Sequence, residues 1–145
     1  MDILVFNCGS SSLKYRLIRM PDEIELAGGE AQRIGPPTAE PSRIVYRNGG
    51  TRDVRFVPMK NHAEAFKEVM NLLKTDSNLT PDVFGHRVVH GGDFYSGAVL
   101  IDSSVLHNLH TIKSLAPIHN PPALRLIEAC KKLRPDLPQV AVFDT

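Results

Sequence analysis

Hydrophobic positions change period several times along this chain, and each change marks an element. Ile3 to Phe6 is an unbroken apolar run, the pattern of a strand covered on both faces. It stops at Asn7-Cys8-Gly9-Ser10-Ser11-Ser12, a cluster of turn formers. Leu13, Tyr15 and Leu17 then alternate with Lys14 and Arg16, which predicts a second strand from Leu13 to Ile18 with Lys14 opposite the apolar set. Ile24 to Leu26 and Ala31 to Ile34 are weaker strand segments. Arg43 to Arg47 and Arg52 to Val57 flank Asn48-Gly49, a dipeptide suited to a hairpin turn.

The period lengthens from Ala63 to Lys74, where Phe66, Val69, Met70 and Leu73 share one helical face and Asn61 stands as N-cap with Glu64 three residues later. Val83 to His90 and Val99 to Ile101 predict further strands. Two helices follow: Ser104 to Leu115, with Val105, Leu109 and Ile112 on one stripe, and Pro122 to Leu133, with prolines in its first turn. Gln139 to Phe143 is a last buried strand. Strands first, then alternating helices and strands, predict an α/β fold with a mixed sheet flanked by helices.

Composition narrows the class. A domain of 145 residues buries about two-thirds of the surface its unfolded chain exposes, enough for a core without staples. No apolar run is long enough to span a bilayer, and the first residues lack the basic-then-apolar pattern of a secretory signal. Cys8 and Cys130 form neither a CxxC pair nor a disulfide framework, so a reducing cytosol is the expected location. The formal net charge is +1, with basic and acidic residues interspersed, and nucleic acid is not an expected partner.

Asn7 to Lys14 carries the most chemistry. Small residues, serine hydroxyls, backbone N–H groups and a lysine at one strand-to-strand turn suit phosphate oxygens. The segment is not a Walker loop, because its spacing differs and a strand follows where a helix would. A plain hairpin turn with a solvated lysine is the alternative. Asn7, at the carboxyl end of the first strand, stands where open sheets present ligand-binding groups.

In Gly85-His86-Arg87-Val88-Val89-His90-Gly91-Gly92, strand alternation sets Arg87 and Val89 on one face and His86, Val88 and His90 on the other. A guanidinium beside a valine suits a small carboxylate; a structural ion pair with core histidines is the alternative. Ala116-Pro117-Ile118-His119-Asn120-Pro121-Pro122 reads as a rigid loop, with Asn120 as the N-cap of the helix it enters; His119 is placed to touch substrate, with a structural loop residue as the commoner alternative. Asp144 closes the last strand, a position suited to a metal shell. His107 and His110 are spaced to share a metal, but with no third ligand evident they and His62 read as surface residues.

Together the Asn7-x-Gly9-Ser10-Ser11-Ser12-x-Lys14 turn, the Gly85–Gly92 segment, Ala116–Pro121 and Val142-Phe143-Asp144-Thr145 resemble the acetate and propionate kinase family, in its order and over essentially the whole chain. The resemblance implies a ribonuclease-H-like domain of the actin-like, sugar-kinase-like (ASKHA) superfamily, with residues 1–145 as its amino-terminal domain and the carboxy-terminal domain absent. It implies reversible, Mg²⁺- or Mn²⁺-dependent phosphoryl transfer between ATP and acetate or propionate, in an enzyme whose full-length form is a cytoplasmic homodimer. It further implies that Asn7 positions the metal, and that Lys14, Ser10 and Ser12 lie near the nucleotide phosphates. Arg87, Val89 and Ile118 would bind the carboxylate and its methyl group, and Asp144 matches the family's essential aspartate. Cys8 and Ile118 replace the more usual alanine and leucine. The family's remaining catalytic groups lie beyond Thr145, so the chain alone is expected to be inactive. A ribonuclease-H-type nuclease, which needs clustered carboxylates, is disfavoured by Asn7; a non-catalytic module of the same fold is the other reading.

Overall fold

The computed structural model describes residues 1–36, 40–88, 97–112 and 120–143. Among the described residues, eight strands form one mixed sheet: β1 (Asp2–Cys8), β2 (Ser12–Arg19), β3 (Ile24–Gln32), β4 (Arg43–Asn48), β5 (Thr51–Phe56), β6 (Val83–Val88), β7 (Gly97–Leu100) and β8 (Gln139–Phe143). The described helices are α1 (His62–Ser77), α2 (Ser103–Ile112) and α3 (Asn120–Leu133). The strand order is β5-β4-β3-β2-β1-β6-β8-β7. β1, β6 and β8 run parallel, and every other neighbouring pair is antiparallel.

Pleat alternation assigns the two faces. Leu4 and Phe6 of β1, Leu13, Tyr15 and Leu17 of β2, and Phe84 of β6 are buried in one core with Phe66, Val69 and Leu73 of α1 and Leu126 and Cys130 of α3. Phe6, Phe66 and Phe84 form its centre, with ring centroids 5.4 to 6.0 Å apart. A second cluster joins Val88, Ala141 and Phe143 to Val105 and Leu109 of α2 and Leu124 and Ile127 of α3. All three helices therefore cover the same face. The opposite face carries half-buried Ile3, Val5, Asn7 and Ile18 beside exposed Lys14, Arg87 and Val142.

Most element ends shift by one to three residues from the pattern-based expectation, and three differences alter an element's continuity, turn or cap. The two weak segments around Gly28-Gly29 are one continuous strand, β3, because its glycines admit close neighbours on β2 and β4. The β4–β5 turn is Gly49-Gly50, since Asn48 pairs with Thr51, and Gly49 takes the positive φ of 62°. α3 already includes Asn120, one residue before a capping role there would start it. Val89 and His90, expected to extend β6, lie outside the described residues.

α1 begins as expected: Asn61 is extended, and its side chain accepts a 2.9 Å hydrogen bond from the Glu64 N–H. At the other end Asn78 adopts the left-handed conformation and its N–H returns to the last turn. Asn61→Ala is expected to cost about 1 kcal/mol in urea unfolding; an unchanged midpoint would show that the cap contributes nothing.

Candidate functional site

Strand register assembles the site. Asn7 pairs with Lys14 across the antiparallel β1–β2 ladder and with Arg87 across the parallel β1–β6 ladder. Arg87, distant in sequence, thus joins Asn7 and Lys14 in one row, on the face opposite the helices and at the carboxyl ends of β1 and β6. Directly paired residues hold their Cβ atoms about 5 Å apart, so two cationic side chains flank one carboxamide. That arrangement attracts an anion with more than one charged oxygen.

The turn at the end of the row is tied from behind. The Gly9 N–H donates to the Ser12 carbonyl at 3.0 Å, and the Ile34 N–H donates to the Ser11 carbonyl at 2.9 Å. His62, the first residue of α1, is only 5% exposed. Its Nε2 lies 2.9 Å from the Gly9 carbonyl and 3.2 Å from the Ser12 carbonyl. Both partners are acceptors, so Nε2 carries the proton and donates to both. Burial lowers the imidazole's pKa, opposed by these two bonds. The expectation that His62 is a surface residue is therefore incorrect: the fold brings the start of α1 under the turn. A Cβ at Gly9 would stand 2.6 Å from Ser12 Oγ, the movable end of a side chain.

Cys8 packs against the core, and burial raises its thiol pKa to about 12. It stays protonated at neutral pH and is no nucleophile. One residue before Arg87, His86 is buried on the core face and stacks on Phe6 at 5.6 Å. Its Nε2 lies 2.6 Å from Gln139 Oε1, while Gln139 Nε2 donates to the Ile127 carbonyl. That chain makes Gln139 Oε1 the acceptor and His86 Nε2 the donor, and links β6, β8 and α3. Burial lowers the His86 pKa to about 4.

Among the sequence-derived candidates, Asn7, Lys14 and Arg87 come together, with Ser10 and Ser12 in the adjoining turn. Val89, Ile118 and Asp144 lie outside the described residues. His110 contacts Glu128 rather than sharing a metal with His107. Among the described residues no cluster of three or more His, Cys, Asp or Glu side chains can hold a metal ion, and no helix is long and apolar enough to cross a membrane. Two features escaped sequence reasoning, the His62 clamp and the His86–Gln139 pair. The only signal for the first was a histidine directly after a helix cap.

Known proteins match this chain in sequence and in fold. The chain is 47% identical to the acetate kinase of Thermosipho melanesiensis and 45% identical to that of Clostridium acetobutylicum, in each case over its full length. It spans only 36% and 37% of those two relatives. Its fold matches the crystal structure of Porphyromonas gingivalis acetate kinase with a TM-score of 0.91 at 38% identity, covering 99% of this chain and 37% of that one. A propionate kinase from Francisella tularensis matches with a TM-score of 0.89 at 35% identity, covering 99% of this chain and 36% of that one. The actin-like, sugar-kinase-like fold expected from the sequence is the fold observed. The model of the Acetokinase family matches residues 2–145, and the chain belongs to that family.

Proposed function

We propose that residues 1–145 form the amino-terminal domain of an acetate kinase and supply the phosphate- and carboxylate-binding half of its cleft. The reaction is reversible phosphoryl transfer between ATP and acetate, giving acetyl phosphate and ADP; propionate is the nearest alternative acceptor. The observation that carries this reading is the Lys14–Asn7–Arg87 row beside the serine turn. Lys14, Ser10 and Ser12 bind nucleotide phosphates, and Arg87 grips the carboxylate through paired N–H donors. Val89 and Ile118 line the methyl pocket. In this reading the complete enzyme is a cytoplasmic homodimer.

Without a carboxylate cluster, the described residues fit a polyphosphate that brings its own cation better than a free ion. Asn7 would hold that Mg²⁺ or Mn²⁺, with Asp144 ordering its shell; when bound, the cation offsets charge on the phosphoryl oxygens. Acetate is already an anion near neutral pH, so no residue need act as a base. The chain's own work is alignment: Arg87 holds the nucleophile while Lys14 and the turn hold the phosphates in line.

A coupled acetate kinase assay on this chain, alone and mixed with the separately produced remainder of a relative, tests the proposal. Turnover is expected only in the mixture. In that mixture Arg87→Ala is expected to raise KM for acetate about 10–100-fold, the worth of a charged hydrogen-bonded pair, with KM for ATP little changed. A folded wild-type mixture without turnover, or an unaltered acetate KM in the variant, would overturn it.

A further inference from the structure

We infer that His62 is a positioning residue for phosphate binding: its single Nε2–H draws the Gly9 and Ser12 carbonyls back from the turn and holds the serines in place. This rests on the reading of the turn as a phosphate site. The geometry makes the case. A hairpin turn offers an anion both kinds of backbone group, and a carbonyl dipole facing a phosphate repels it. Here the carbonyls of Gly9, Ser11 and Ser12 are all engaged by N–H donors: His62 to Gly9 and Ser12, Gly9 to Ser12, and Ile34 to Ser11. His62 spans both ends of the turn, from an anchor independent of it. It is the first residue of α1, fixed by the Asn61 cap and by packing of Ala65 and Phe66 in the core.

A role in packing alone and a role as donor make opposite predictions for two substitutions. His62→Phe keeps a planar ring in a buried place and removes the N–H. His62→Gln keeps an N–H donor and loses the ring. The experiment is a nuclear magnetic resonance titration of the 145-residue chain with magnesium tripolyphosphate, with amide exchange measured at Ser10, Ser11 and Ser12 and, as a stability control, at Leu72 and Leu73. Lys14→Ala is run in parallel.

With the donor gone, His62→Phe is expected to speed exchange of the serine amides and weaken tripolyphosphate binding by about tenfold, the worth of one good hydrogen bond to a carbonyl. Exchange at Leu72 and Leu73 should stay near wild type. His62→Gln should recover most of both losses. If His62→Phe binds tripolyphosphate as wild type does, or if His62→Gln is the worse of the two at the turn, the inference is overturned while the phosphate reading stands. A wild-type chain that shows no tripolyphosphate-dependent change, indistinguishable from Lys14→Ala, would instead overturn the phosphate reading and withdraw the inference with it.

Discussion

Gly29→Ala will lower the unfolding free energy by about 3–5 kcal/mol, a combination of overpacking and a lost buried hydrogen bond. Gly29 sits in the middle of β3, paired with Tyr15 of β2 and Tyr46 of β4. A Cβ there would stand 1.9 Å from the Val45 carbonyl oxygen and 2.7 Å from the Tyr15 hydroxyl. That hydroxyl donates to the same carbonyl at 3.0 Å in a buried bond that passes over the glycine. The obstacle is largely backbone, so no rotamer change relieves it; β4 must move away from β3 or the bond must break. Against a typical total of ~5–15 kcal/mol, such a loss approaches unfolding. Gly50→Ala, in a turn where an added Cβ meets nothing within 4 Å, is the control. Urea unfolding of both variants decides the matter, and a Gly29→Ala midpoint close to that of Gly50→Ala would refute the close-approach argument.

Stability will also fall as pH drops from about 6.5 to about 4, by up to ~3 kcal/mol. The sign follows from His86. Its folded-state pKa, about 4, lies below the ordinary histidine value of 6.5. Between those values the unfolded chain binds a proton that the folded chain does not, so folding is disfavoured there. The contribution is fully present above the unfolded value and lost as pH falls through the folded one. The cause is structural: Nε2 already donates to Gln139, and Nδ1 is buried without a partner among the described residues. A proton added at Nδ1 would leave a buried charge uncompensated. His62, also lowered by burial, acts in the same direction. Carboxylates such as Asp2, held low by Arg19, lose their contribution at lower pH than this window. His86→Phe keeps an aromatic ring beside Phe6, so it should be less stable at neutral pH through the unpaired Gln139 but flatter with acid. Urea midpoints at neutral pH and at about pH 4.5 test this; equal slopes in wild type and His86→Phe would assign the acid loss elsewhere.

The two substitutions share a lesson about legibility. Glycines at 28 and 29 weaken a strand by ordinary propensity, which is why β3 reads as two fragments along the sequence. Only the neighbouring Tyr15 and Val45 make Gly29 necessary and the strand continuous. Alternation sets His86 opposite Arg87, with a core histidine as one reading, but its partner, Gln139, is 53 residues away, and no local pattern connects them. His62 reads as a surface residue for the same reason: nothing near it in sequence shows that α1 packs under the β1–β2 turn and buries it.

By itself the sequence determined the elements other than the continuous β3, the face on which Lys14 stands, the phosphate-suited turn and the family resemblance. These depend on short-range periodicity, turn chemistry and motif spacing, all contained in a few neighbouring residues. Tertiary structure decided what depends on pairing between distant strands: the order of the eight-stranded sheet, and the register that sets Asn7 between Lys14 and Arg87. It also decided which buried polar groups meet, because hydrogen-bond partners such as His62 with Gly9, or His86 with Gln139, are selected by three-dimensional proximity. Local sequence specifies that a buried imidazole must find a partner; only the packed fold specifies which one.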